Sequence, residues 1–177
     1  MGRAERSGPS SLTFQPRGLA SVVTDIIDAL VIEHQVFLTL FDEIEQTLPK
    51  LKTVGEIRLA CRLVAGLLHN HGEEETNLIY IALDHVLLER HQLTRLNHDH
   101  HELDDVLTRV EALADFGEAR RQLKAALSMA RAHFHDEEHN VFPVIERVLH
   151  QDTLVELGNA WRTRHQLTRQ ITGQAQH

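Results

Sequence analysis

Cysteine is almost missing from this 177-residue chain: Cys61 stands alone, so no intrachain disulfide can staple the fold. A reducing, cytoplasmic setting is the expectation that follows. Proline (four) and glycine (nine) are scarce for the length, and aromatic residues make up only 5%. That shortage disfavours a turn-rich β fold. No apolar run approaches the ~18 residues that a bilayer-spanning helix needs. The opening stretch MGRAERSGPSSLTFQPRG has no apolar segment of the kind a secretory signal carries, and Arg6 stands where a myristoylation signal wants Ser or Thr. Basic residues are the minority, 18 Lys and Arg against 26 Asp and Glu, for a formal charge of −8. An acidic chain with no basic stripe is not expected to take nucleic acid or an anionic membrane as its partner. Nothing in the composition names a protein partner.

What is present favours helices. Apolar residues make up 42%, a normal globular share, and Leu, Ala, Glu and Arg, all good helix formers, are common. The expectation is an all-α fold: an up-down-up-down antiparallel four-helix bundle over residues 18–150, preceded by a flexible tail (1–17) and followed by a short fifth helix and tail (151–177). The first helix runs from about Leu19 to Thr47 and stops before Pro49, with a stripe of Leu30, His34, Phe37, Phe41, Ile44 and Leu48 at steps of four and three. The second opens with Thr53 and Glu56 in capping-box spacing and carries Ile57, Val64, Leu67, His71, Glu75 and Leu78. The third spans about His91 to Ala114, with Leu93, Leu96, His100, Leu103, Leu107 and Val110. The fourth spans about Glu118 to Leu149, with Leu123, Ala126, Ala130, His133, Glu137, Val141, Val144 and Val148; Pro143 inside it should kink the helix or turn its course. A second capping-box pattern, Thr153 with Glu156, marks the fifth helix, which carries the single Trp161. The links Pro49–Lys52, Asp84–Arg90 and Asp115–Gly117 are short, which makes neighbours antiparallel. Helices one and two weakly repeat in three and four: Glu33-His34 matches Asp99-His100, and His71 with Glu75 matches His133 with Glu137.

The one compositional excess is histidine, with fourteen residues. Each of the four apolar stripes is broken near its middle, by His34, by His71 with Glu75, by His100, and by His133 with Glu137. Residues four apart share one helical face, so four helices deliver four imidazoles and two carboxylates to one place in the core. Burying that polarity without partners is costly, and two divalent cations answer it. If both glutamates bridge, each metal receives two nitrogens and two carboxylate oxygens. An oxo or hydroxo bridge adds a fifth donor and leaves about one open position per metal. Mixed nitrogen and oxygen donors without thiolate suit iron or manganese better than a closed structural zinc site. His69, His98, His101, His135 and His139 read as surface residues, with His101 a rival to His100. Glu74 is the candidate outer carboxylate or alternative bridge, Tyr80 reads as core filler, and Cys61 as a small buried hydrophobe.

The order His, His-x-x-x-Glu, His, His-x-x-x-Glu on four helices resembles the hemerythrin-like (HHE cation-binding) family. The closest local match is HFHDEEHNVFP, from His133 to Pro143; the counterpart from His71 lacks the proline. The resemblance spans about residues 22–150. It implies that His34, His71, His100 and His133 ligate two irons joined by an oxo or hydroxo bridge, with manganese or zinc as substitutes, and that Glu75 and Glu137 bridge them. The oxygen carriers of the family use a further histidine on the third helix and a carboxylate five residues after the fourth-helix histidine. Here Asp104 and Leu96 flank His100 at four residues, Glu137 sits four after His133, and Glu138 fills the fifth place. The resemblance therefore points away from reversible oxygen carriage and toward relatives linked to nitric oxide, peroxide or iron handling and to iron sensing, while the open metal positions suit peroxide, nitric oxide or dioxygen, with iron storage or donation as the alternative.

Overall fold

The structure is a computed structural model that describes residues 25–84 and 91–174, with side chains described for all of these except 80, 81, 84, 91–97 and 166–174. Among the described residues every regular element is helical. α1 spans Ile26–Thr47, α2 Val54–Glu75, α3 Ile81–Asp84, α4 His91–Ala112, α5 Phe116–Asp136, α6 Phe142–Val148 and α7 Gln151–Gln174. A 3-10 turn, Leu48–Lys50, closes α1. A π-helical turn at Thr76–Tyr80 joins α2 to α3, and a second at Glu137–Val141 joins α5 to α6. The expected tail 1–17, the start at Leu19, the positions Leu93 and Leu96, the side chain of Tyr80 and the link 85–90 lie outside the described residues or side chains.

Local chemistry sets the helix starts. Asp25 caps α1, its carboxylate accepting from the Asp28 amide at 3.1 Å. Thr53 and Glu56 form the expected capping box: the Glu56 amide donates to Thr53 Oγ1 at 3.2 Å and the Thr53 amide donates to Glu56 Oε2 at 2.8 Å. Asp115 caps α5 through the Glu118 amide at 2.7 Å, so that helix begins two residues before the expected Glu118. Thr153 and Glu156 make no cap, because α7 has already started at Gln151. α7 is not short either, at 24 residues.

The helices pack as a bundle: α4 against α2 and α5, α2 against α5, and α1 against α5 and α7. Two apolar clusters fill it. One gathers Phe37, Phe41, Ile57, Cys61, Val64, Leu68, Leu103, Leu107, Leu123 and Phe134. The other gathers Ile26, Leu30, Leu78, Ile79, Leu83, Phe142, Ile145 and Leu154. Along α1, along α2 with α3, and along α5 with α6, the chain passes from one cluster to the other, and the polar interruptions fall at the crossing.

Three expected stripe positions are corrected. Leu68 is buried and Leu67 is 38% exposed, because eleven residues from Ile57 complete three turns of helix and ten do not. Phe142 and Ile145 take the core places expected for Val144 and Val148, which are half-buried, because the π turn before them shifts the helical register. At Pro143, where a kink or a change of course was expected, the helix is interrupted by that π turn: the Phe142 amide donates to the Glu137 carbonyl five residues back, and Pro143 opens α6 where its missing N–H costs least.

Candidate metal centre

All six interrupting residues meet in one buried cluster. Each ligand atom lies within 4.8 Å of the others in two overlapping groups: His34, His71, Glu75 and Glu137, and Glu75, His100, His133 and Glu137. α1 brings His34, α2 brings His71 and Glu75, α4 brings His100, and α5 brings His133 with Glu137 at its end. Five of the six are fully buried or nearly so, and His100 is partly exposed, at 16%.

The two carboxylates divide their oxygens between the halves. Glu75 Oε1 is 3.5 Å from His71 Nε2, and its Oε2 is 3.3 Å from His100 Nε2. Glu137 Oε1 is 3.2 Å from His133 Nε2, and its Oε2 is 3.4 Å from His34 Nε2. Each glutamate therefore spans both halves of the cluster, one oxygen to each. Both oxygens of Glu75, Glu137 Oε2 and His133 Nδ1 make no hydrogen bond although buried. A buried carboxylate left in this condition is heavily penalised unless a cation takes its lone pairs.

The imidazoles point the same way. His34 Nδ1 lies 2.9 Å from Glu138 Oε1, and His71 Nδ1 lies 3.0 Å from Glu33 Oε2. A carboxylate only accepts, so each Nδ1 carries a proton and donates it. In the neutral rings both Nε2 atoms are then bare lone pairs, yet they stand 3.1 Å apart. Two lone pairs at that distance need an electrophile between them. His100 and His133 repeat the close approach, Nε2 to Nε2 at 2.7 Å, without a carboxylate on His133 Nδ1. The expected outer carboxylate, Glu74, does not serve: it faces His165 at 3.5 Å. Glu33 and Glu138 are the carboxylates that meet the outer nitrogens of His71 and His34. Glu138 was visible in the sequence only as the residue five after His133, and Glu33 only as a neighbour of His34, whose side chain reaches a different helix.

Burial and the mutual charges of the cluster shift its titrating groups in opposite directions. Burial, then the neighbouring His71, hold His34 down to about 3, so it stays neutral. Burial opposes a charge on His71 too, but Glu75, the Glu33 contact and Glu137 outweigh it and raise that ring to about 9. Glu75 is drawn down to about 2, burial being overcome by His71, His100 and His133. Glu137 is pushed up by burial and by Glu75.

Aromatic rings wall the centre. Phe134 stacks on His34 with centroids 4.1 Å apart and planes 12° apart, and Phe142 lies on the same ring at 5.8 Å. A pocket of about 300 Å³ reaches the cluster from the side of α2 and α4, lined by His71, Gly72, Asn77, His100, His101 and Asp104 among others. The histidines read as surface residues, His69, His98, His101, His135 and His139, are all exposed.

The sequence profile of the hemerythrin HHE cation-binding domain matches residues 25–145, more than half of the chain. The chain belongs to the hemerythrin HHE cation-binding family. Neither curated proteins nor solved structures gave a match. For a hemerythrin-family chain the donor set is a fitting one: orphaned carboxylate oxygens and imidazole nitrogens that face one another are what a metal cation satisfies. The family match ends before α7 begins. No described helix of this hemerythrin-family chain is long and apolar enough to cross a membrane.

Proposed function

We propose that this chain is a non-haem di-iron protein whose centre is open to a small molecule: peroxide, nitric oxide or dioxygen. One iron takes His34 and His71, the other His100 and His133, and Glu75 and Glu137 bridge the two, with an oxo or hydroxo group completing the pair. Manganese or zinc are the substitutes. The observation that carries the reading is the division of each glutamate's two oxygens between the two histidine pairs. The bundle is read as up-down-up-down, supported by α1 leading from the Leu30 cluster to the Phe41 cluster while α2 and α5 lead back. Residues 18–150 form the metal-binding domain, with 1–17 as a tail and α7 as an appendage; a cytoplasmic setting accords with the lone cysteine.

When bound, the iron pair supplies open coordination positions and redox equivalents to the small molecule. The rest is the work of the chain. Glu33 and Glu138 hold the Nδ1 protons of His71 and His34 and so aim both Nε2 atoms inward. Phe134 and Phe142 keep water from the His34 side, which strengthens every charge interaction within. The pocket beside His100 admits a small ligand. A second reading, an iron- or oxygen-sensing or iron-storing or donating module without turnover, is favoured by one observation: α7 touches the centre's outer carboxylate.

The test is to express the chain in iron-supplemented medium and measure metal per chain with the visible spectrum. About two irons per chain with oxo-bridge charge-transfer bands support the di-iron reading. No metal, or a single loosely held zinc, overturns it. Turnover of peroxide, nitric oxide or dioxygen by the loaded protein then separates the first reading from the second.

A further inference from the structure

α7 lies wholly outside the family-matched residues, yet it reaches the metal centre in two steps. Glu33 is the joint. Its Oε2 stands 3.0 Å from His71 Nδ1 and its Oε1 stands 3.3 Å from His165 Nε2, on α7. His165 is itself held in place. Its Nδ1 is 3.1 Å from the Trp161 carbonyl one turn back, its ring stacks on the Trp161 indole at 3.8 Å and 28°, and Glu74 Oε2 lies 3.5 Å from Nδ1. Below this contact α7 is anchored by apolar packing: Leu154 is buried, and Leu157 and Trp161 pack against the cluster of Ile26, Leu78, Ile79 and Ile145.

Glu33, Glu74 and His165 are close enough to hold a cation of their own. Glu33 Oε2 is already engaged by His71, however, and both His165 nitrogens face oxygen acceptors, so the ring makes these contacts with a proton on each nitrogen and has no lone pair for a cation. The group is a chain of contacts leading inward rather than a third metal site.

We propose that His165 is a positioning residue for the metal centre, holding Glu33 against His71 and so coupling the docking of α7 to metal in the His34 and His71 half of the site. The inference rests on the two-metal reading above. A metal-ligating imidazole depends on the partner of its other nitrogen for orientation and basicity. Glu33 is partly exposed, at 16%, so a glutamate released by His165 is free to turn toward water and leave His71 unaligned. The coupling is reciprocal by linkage: whatever α7 does for metal affinity, the metal does for α7 docking. On the other pair, His133 Nδ1 has no hydrogen-bond partner, so the carboxylate relay described here belongs to the His71 side.

The test uses the full chain and Zn²⁺, which neither absorbs visible light nor quenches fluorescence. Zinc affinity is read by competition with a chromophoric chelator. Docking of α7 is read by acrylamide quenching of Trp161, the only tryptophan. In the unaltered chain, zinc loading is expected to lower the quenching. His165→Ala is expected to weaken one of the two zinc ions about tenfold, the low end of what losing an outer partner costs, and to abolish the zinc dependence of quenching. His165→Gln, whose amide donates to Glu33, is expected to restore most of both. The inference is overturned if His165→Ala binds both ions like the unaltered chain, or if zinc leaves Trp161 quenching unchanged. Should His165→Ala fail to fold, the zinc dependence in the unaltered chain decides alone. An unaltered chain that binds no zinc sinks the two-metal reading itself and the inference with it; two ions bound with no effect of His165 sinks only the inference.

Discussion

Six residues make the centre, and one glycine makes room for it. Gly72 is buried on α2, and a Cβ there would stand 3.1 Å from His100 Nδ1 and 3.3 Å from its Cε1 and Cγ. Contacts that short force the ring aside by a few tenths of an ångström. Gly72→Ala is therefore expected to release metal from the His100 and His133 half, taking metal content from about two ions per chain toward about one. Elemental analysis of the purified variant checks this, and an unchanged content would show that His100 yields without cost. At this scale the sequence was readable where residues share a helix. His71 with Glu75, and His133 with Glu137, stand four apart and must share a face. It was not readable where the partners sit on different helices: nothing in spacing says that Glu33 serves His71 rather than its neighbour His34, or that Glu74 turns away to His165.

Among the elements, the helix starts and the two π turns matter most. The Thr53 and Glu56 capping box was legible because all of its partners lie within four residues. Thr53→Ala is expected to cost about 1 kcal/mol, a fall in melting temperature of roughly 2–4 °C for a chain of this size. The identical-looking Thr153 and Glu156 pair lies inside α7, so Thr153→Ala is expected to stay within about 0.5 kcal/mol. Thermal melts of the two variants side by side check the contrast, and equal losses would contradict the start of α7 at Gln151. The π turns escaped the sequence reading. A constant helical period places Val144 in the core, and only the wider turn at Glu137–Val141 substitutes Phe142 and Ile145. Each π turn sits at or directly after a bridging-glutamate candidate, at Thr76–Tyr80 and Glu137–Val141, so the same distortion accompanies the centre on both helices.

For the molecule as a whole, the buried cluster makes stability depend on pH when metal is absent. His71 is raised from 6.5 to about 9, so its contribution is full below pH 6.5 and is lost as pH rises toward 9. Glu137, also raised, loses its contribution in the same direction. His34, lowered to about 3, contributes above pH 6.5 and loses that contribution as pH falls toward 3. The chelator-treated chain is thus expected to be less stable at pH 9 than at pH 6.5, as read by urea midpoints. A midpoint flat across that window would mean that no proton sits on His71. The four-helix character and the meeting of six residues were legible from the stripes; the docking of α7 was not, because its partners Glu33 and Glu74 and the apolar cluster around Ile26 and Ile79 lie on other helices far away in the sequence. Cys61 also has a consequence at this scale. Its thiol is sealed in the apolar core, donates to the Leu107 carbonyl at 3.3 Å, and is pushed by burial up to about 11. Only the thiolate attacks peroxides and disulfides. The chain's one thiol therefore stays unreactive in air, and copies of the protein are not joined by disulfides through Cys61 while they remain folded.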